Sequence, residues 1–342
     1  MTIKITDFRS DTVTKPTQAM REFMLAAEVG DDVFGDDPTI NELQRIGAEM
    51  FGMEAGLYCS SGTMTNQIAI NVHTQPGDEV ICHEEAHIYR YEGGGIAKNS
   101  GASVRFIRGN QGRINPDEIV DNINPNDQHY PVTTLVSIED TANRGGGLCY
   151  DFEDIKRISQ ICKENKLAFH LDGARVFNAL EVNKISPLEY GGQFDSISIC
   201  LSKGLGAPVG SLLLGSKEFI AKAHRVRKVL GGGMRQAGII AAGGIYALQN
   251  NIGRLRIDHE NAKQVEAILA SKNWVKKVLP VQTNIVVAIL KDGINEGDVV
   301  TQLLEKGILC VGFGKGRVRF TTHLEISAAD IVHLAANLPT DL

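Results

Sequence analysis

The chain of 342 residues has no CxxC pair and no cysteine–histidine spacing of the kind that holds zinc; its six cysteines (Cys59, Cys82, Cys149, Cys162, Cys200 and Cys310) are scattered. That excludes a zinc ribbon or a disulfide framework and is the pattern of a reduced, cytosolic protein. No run of lysines or arginines occurs and the net charge is −6, so nothing supports a nucleic-acid or membrane-surface partner. No apolar run reaches the length of a membrane span. The opening Met1-Thr2-Ile3-Lys4-Ile5-Thr6-Asp7 lacks the apolar core of a secretion signal. Repeats and low-complexity segments are missing, and no GxGxxG follows an early strand, which argues against a dinucleotide-dependent oxidoreductase. Gly312-Phe313-Gly314-Lys315-Gly316 comes late and leads into a strand, so it reads as a hairpin turn.

Hydrophobic residues make up 43% of the chain and charged residues 22%, the balance of a soluble globular protein, and the length suits one large domain plus a smaller one. Buried-strand patterns run over 56–59, 79–83, 103–107, 132–138, 167–171, 196–201 and 209–214. Helical patterns lie between several of them. At Asp151 to Glu164, Asp151 is placed to cap while Phe152, Ile155, Ile158 and Ile161/Cys162 share one face. Near-continuous apolar strands between helices predict a mainly parallel sheet covered on both sides, an α/β fold. After Gly231-Gly232-Gly233 a helical region from about Met234 to Ala270 breaks near Asn250-Asn251. It leads into strands at 283–290, 308–313 and 317–322 and a helix from Ser327. This divides the chain into a large domain over 1–250 and a small C-terminal α/β domain over 251–342.

Two strand ends carry candidate chemistry. The run Ile197 to Leu201 stops at Ser202-Lys203 before a glycine-rich turn, and Leu167 to Leu171 stops at Asp172-Gly173-Ala174-Arg175. A lone lysine after a strand is ordinarily solvated and a lone aspartate ordinarily caps a helix. Together, in this order, they suit pyridoxal 5′-phosphate (PLP): the lysine to form a Schiff base, the aspartate to keep the pyridine nitrogen protonated. Ser60-Ser61-Gly62-Thr63 follows a strand and opens a helix, which reads equally as a well-capped helix or as the seat of one phosphate. His87 lies just past another strand end, where it could stack on a flat ring or shuttle a proton. His83 is the weaker choice. Arg319, inside a strand, could grip an α-carboxylate. The acidic stretch Gly30 to Thr39 precedes a helix capped at Asp37 or Thr39 and reads as a solvated turn or a ligand loop; its acids lack the spacing of a calcium loop.

Six ordered motifs, Phe8 to Thr14, Gly30 to Thr39, Ser61-Gly62-Thr63, His170 to Arg175, Leu201 to Gly210 and Gly231 to Gln236, resemble those of the low-specificity L-threonine aldolases. The resemblance runs from about Phe8 to His323. It implies a fold-type-I PLP-dependent enzyme, a homodimer or homotetramer with its site shared between subunits, cleaving a β-hydroxy-α-amino acid to glycine and an aldehyde. By it Lys203, His87 and Asp172 are catalytic. Ser61, Gly62, Thr63, His87, Asp172, Arg175, Ser202, Lys203 and Arg235 contact the cofactor, Arg235 from the neighbouring subunit. Ser10, Arg175 and Arg319 bind substrate, and no metal takes part. The family usually carries histidine and tyrosine at the positions of Ala142 and Phe34, so the base becomes His87 or a water near it. Other PLP reactions on the same scaffold, β-elimination, racemisation or transamination, share the cofactor motifs, and a non-catalytic binding protein is the alternative of a different class.

Overall fold

In the computed structural model, which describes residues 4–341, the seven predicted strands of the first 215 residues all form. They are β1 (Ala55–Cys59), β2 (Glu79–His83), β3 (Ser103–Ile107), β4 (Thr133–Glu139), β5 (Ala168–Gly173), β6 (Ser196–Cys200) and β7 (Ser211–Gly215). They build one sheet in the order β1-β7-β6-β5-β4-β2-β3. The pairs from β3 through β6 are parallel, while β7 runs antiparallel to both β1 and β6. Strands β2, β6 and β7 are buried at every position, and β4 and β5 at all but one, as expected where helices cover both faces. The inserted β7 brings its first residue, Ser211, level with the last residues of β1 and β6, Cys59 and Cys200.

Helices α1 (Pro38–Phe51), α2 (Gly62–His73), α3 (Phe152–Asn165), α4 (Gly238–Asn250) and α5 (Leu255–Ala270) include the elements anticipated from the caps and the break at Asn250-Asn251. Asp151 caps α3. A second sheet, of β8 (Val275–Val278), β9 (Ile285–Leu290), β10 (Val311–Gly312) and β11 (Arg317–Thr321), is antiparallel in the order β10-β11-β9-β8. The Gly312 to Gly316 stretch is the turn of its β10–β11 hairpin. One expectation needs revising: the apolar run at 308–313 is not one strand. It breaks at Cys310 because its halves serve different partners. Ile308–Leu309 pairs in parallel with Thr6–Asp7, and β10 pairs with β11. The reading of Met1-Thr2-Ile3 as leaderless lies outside the described residues.

The small sheet has its own core, around Trp274, Val286, Phe320 and Leu334, and Phe8 from the N-terminal segment packs into it. The Phe8 and Phe320 rings meet edge to face at 5.8 Å. The N-terminal segment therefore ties the small sheet to the large one.

The acidic stretch is anchored through its two buried acids, Asp32 and Asp37, while Val33 to Asp36 stay exposed as a solvated turn. Asp37 caps α1 by accepting from Thr39 and Ile40, and its other oxygen accepts from the amides of Gly30 and Gly238 at 3.2 and 2.9 Å. Asp32 forms a buried ion pair with Arg227 at 2.7 Å. A Cβ on Gly30 would lie 2.2 Å from the Asp36 carbonyl oxygen, so only glycine fits there. Asp37→Ala should lower stability by about 2 kcal/mol, since a cap is lost and the Gly238 amide is left buried without a partner. Chemical denaturation checks this; a change below about 0.5 kcal/mol would contradict it.

Candidate active site

The carboxyl ends of the parallel strands converge on one edge of the large sheet. Asp172 ends β5 beside Glu139 of β4 and Ser198 of β6. Lys203 lies three residues past β6, and its backbone carbonyl accepts from Gly206 N–H and the Thr14 hydroxyl at 2.8 and 3.1 Å. The half-buried ammonium adds to the charges around Asp11. His87 opens a short turn of helix past β2.

One side chain joins these groups. Asn66, on α2, donates from Nδ2 to Asp172 Oδ2 at 3.0 Å and to Glu92 Oε1 at 2.9 Å. Glu92 Oε1 also accepts from His87 Nδ1 at 3.0 Å, and Glu92 Oε2 from Gln67 at 2.6 Å. With Nδ1 donating, His87 Nε2 is left free to work. Burial alone would lower the imidazole pKa; the Glu92 hydrogen bond and the charges of Asp172 and Glu139 outweigh it and raise it above 6.5.

The same amide fixes protons deeper in the core. Both Asn66 amide hydrogens go to carboxylates, so its Oδ1 must accept from His170 Nε2, 3.1 Å away. His170 Nδ1 then accepts from the Ser196 hydroxyl at 2.8 Å, and Ser196 Oγ accepts from His73 Nε2 at 2.8 Å. From His73 to Asn66 each hydrogen points toward the two carboxylates, Asp172 and Glu92. Burial drives His170 down to about 3 and His73 to about 4, which keeps both neutral.

Glu139, fully buried, holds two loops at once: its carboxylate accepts from His87 N–H and from Asn143 N–H, each at 3.0 Å. Burial and the adjacent Asp172 push its pKa up. Asn143 Oδ1 in turn accepts from Arg319 Nη1 at 2.9 Å, and the Arg9 carbonyl accepts from Nη2 at 2.9 Å. Arg319 Nε is buried with no partner among the described residues. Burial, with Arg175 and Arg144 nearby, lowers this arginine to about 10.

Arg175 donates from Nε and Nη2 to the two oxygens of Asp11, both at 2.7 Å. Burial would raise the Asp11 carboxyl, but Arg175 holds it well below the usual range. Ser10 caps the short helix Asp11–Val13 by accepting from Thr12 N–H. Ser61 caps α2 by accepting from Met64 N–H at 3.1 Å. The amides of Gly62 and Thr63, at the start of α2, have no intrahelical partner. Beside them the Ser211 hydroxyl is buried without a partner among the described residues, 3.6 Å from where a Gly62 Cβ would be. Ser202 Oγ contacts Cys200 Sγ at 3.5 Å. Arg235 is on the surface, its guanidinium paired with Asp31 at 2.8 Å rather than with α2. Ala142 is buried, and Phe34 is 76% exposed.

Thus Lys203, Asp172, His87, Arg175 and Arg319 are brought to one edge with the start of α2. An amine, a carboxylate and an anion-receiving helix end are the contacts that a phosphorylated pyridine aldehyde requires. Sequence reasoning missed Asn66, Glu92, Glu139, Asn143 and Asp11. Asp11 alone had a local signal, in the polar Arg9-Ser10-Asp11 run.

His170 stays neutral when folded and titrates near 6.5 when unfolded, so the unfolded chain binds the extra proton and stability is lost as pH falls from about 6.5 toward 3. His170→Gln, which keeps a donor toward Asn66, should flatten the fall in stability between pH 6 and 4 by about 1.4 kcal/mol per pH unit. Denaturant titrations of both proteins check this; parallel pH profiles would contradict it.

The family model described as beta-eliminating lyase matches residues 7–292. The chain is 39% identical to a probable low-specificity L-threonine aldolase 2 of Arabidopsis thaliana over 97% of this chain and 96% of that one. It is 40% identical to the low specificity L-threonine aldolase of Escherichia coli (strain K12), covering 97% of each. A solved threonine aldolase of Leishmania major superposes with a TM-score of 0.84 at 21% identity, over 96% of this chain and 97% of that one, a likeness of fold.

Proposed function

The chain belongs to the low-specificity L-threonine aldolases within the beta-eliminating lyase family, and on that premise we propose how its own residues cleave a β-hydroxy-α-amino acid such as L-threonine into glycine and an aldehyde. The observation that carries the reading is the Asn66 junction, which holds Asp172 and the Glu92–His87 pair together, on the sheet edge where Lys203 follows β6. The residues fit PLP: Lys203 for its aldehyde, Asp172 for its ring nitrogen, and Gly62, Thr63 and the unpartnered Ser211 hydroxyl for its phosphate. Ser61 and Ser202 shape those two contacts, and Arg235 reaches a neighbouring subunit's phosphate. PLP supplies an electron sink for the pair released when the Cα–Cβ bond breaks.

Arg319 takes the substrate α-carboxylate, its fork held in place by Asn143 and the Arg9 carbonyl and its Nε still open. Ser10, next to Arg9, closes that end. Fixing the carboxylate sets which bond at Cα is aligned to break. Arg175 is held rigid by Asp11 beside the cofactor's hydroxyl edge. His87 stacks and takes the β-hydroxyl proton at Nε2, while Glu92 holds Nδ1–H. With Ala142 buried and small, His87 is the imidazole left for this step.

We further assign a large PLP-binding part over 1–250 and a small C-terminal part over 251–342, supported by the separate cores of the two sheets. Homodimers, paired into tetramers, would cover the exposed Leu25, Phe34 and Val229, which are 87%, 76% and 86% accessible. The six buried free cysteines suit a reducing, cytoplasmic setting, where the enzyme would serve threonine catabolism and glycine biosynthesis. Among the described residues no helix is long and apolar enough to cross a membrane.

PLP-saturated protein given L-threonine, L-allo-threonine or phenylserine should yield glycine and matching aldehyde. Ammonia with a keto acid would point to β-elimination instead. His87→Phe keeps a flat ring and should bind PLP but lose about 10²- to 10⁴-fold in kcat; cleavage at the native rate would reduce His87 to a stacking surface. Because Glu92 raises the His87 pKa, the acid limb of kcat/KM should lie above pH 6.5 and move down in Glu92→Gln. A limb that stays put would remove His87 as the titrating base.

A further inference from the structure

The substrate end of the site holds more positive charge than one α-carboxylate uses. Three guanidiniums surround the buried Phe313 ring: Arg144 at 4.0 Å, Arg319 at 5.0 Å and Arg317 at 5.6 Å from its centroid. Arg317 and Arg319 are two residues apart on β11, so their side chains leave the same face of the strand. Arg319 is committed to the α-carboxylate in the function proposed above, and the inference rests on that reading.

The other two cations are weakly compensated. Arg144 pairs with Glu85 at 3.2 Å, a carboxylate it shares with Arg90 at 3.7 Å. Arg317 donates to the Gly314 carbonyl and forms no ion pair among the described residues. The Glu296 oxygens are taken by the backbone amides of Gly314, Gly316 and Arg317 and shape the hairpin tip, so Glu296 acts on the Arg317 guanidinium by its charge and not through an ion pair. Burial first, and then the charge of Arg144, hold Arg317 below its ordinary value against the opposing charges of Glu85 and Glu296.

These arginines border a cavity of about 310 Å³ whose charged lining is Arg108, Arg144, Lys315 and Arg317 against Glu84 and Glu85. Part of its wall is Gly112 and Gly145, which bring no side chain to fill it. It adjoins the catalytic edge: Arg144 follows Asn143, the anchor of Arg319, and Glu85 precedes His87 by two residues. Glu139 holds both of those loops.

We infer that the site prefers β-hydroxy-α-amino acids whose side chain ends in a second carboxylate, received by Arg317 and Arg144 beside Phe313. A planar guanidinium takes a carboxylate through two hydrogen bonds, and the ring keeps each fork oriented. With 3-hydroxyaspartate the balance is that of the proposed reaction. The Cα–Cβ bond breaks, the β-hydroxyl loses its proton, Cα gains one, and glycine and glyoxylate leave. No further reactant is needed.

The test compares 3-hydroxyaspartate with 3-hydroxyasparagine, nearly equal in shape but differing in charge, by glycine release from the PLP-loaded enzyme; threonine serves as the reference. The acid should exceed the amide at least tenfold in kcat/KM. The ratio should shrink toward one in Arg317→Gln and Arg144→Gln, survive in part in Arg317→Lys, and fall with added salt. A phosphorylated side chain tested alongside separates a carboxylate site from a phosphate site; a larger preference for the phosphate would overturn the assignment. Equal cleavage of acid and amide by the native enzyme, or a ratio unchanged in both glutamine variants, would also overturn it. Failure to release glycine even from threonine would instead remove the aldolase reading, and this inference with it.

Discussion

The site depends on one amide. Asn66 Nδ2 spans two carboxylates, one from strand β5 and one from the segment after His87, and the order of every proton around it follows from that double donation. It sets Asp172 on one side and, through Glu92, the tautomer of His87 on the other. Inward, it compels His170 to donate and Ser196 and His73 to follow. Buried polar chains of this kind are stable only when every member is satisfied. Replacing one donor here would leave carboxylates facing each other.

A second constraint comes from joining two sheets. The large sheet supplies the lysine, the aspartate, the imidazole and the helix end; Arg319 arrives from the small one. The N-terminal segment bridges them. Its Phe8 packs in the small core, its Asp11 clamps Arg175, and its Arg9 carbonyl holds Arg319. Arg319 and Arg175 thus share a neighbourhood despite like charge, and Asp11 is the anion that makes this tolerable. The cationic surplus around Phe313 continues the same pattern, with Glu85, paired to Arg144, as the carboxylate nearest to it.

Much of this was legible in the sequence because it is local. The strands at 79–83 and 103–107 are β-rich apolar runs that start just after Gly77-Asp78 and Gly101-Ala102, and the structure reproduces those bounds. Asp151 caps the helix expected of it, and a helix begins after Ser327 as expected. The lysine, aspartate and histidine stood out because each follows a strand. The antiparallel insertion of β7 was not legible, since nothing in an apolar run says which neighbour it pairs with. The same holds for the break at Cys310. Asn66, Glu92 and His170 were invisible for a plainer reason: each bonds partners 25 or more residues away, inside segments that read as ordinary helix, loop or strand.

The measurement that tests the account most directly is to locate the cofactor covalently. PLP-loaded protein is reduced with borohydride, digested, and its peptides mapped by mass spectrometry. The account predicts one pyridoxyl group, on Lys203, and its loss in Lys203→Ala. A label on another lysine, or none on a protein that cleaves threonine, would contradict it.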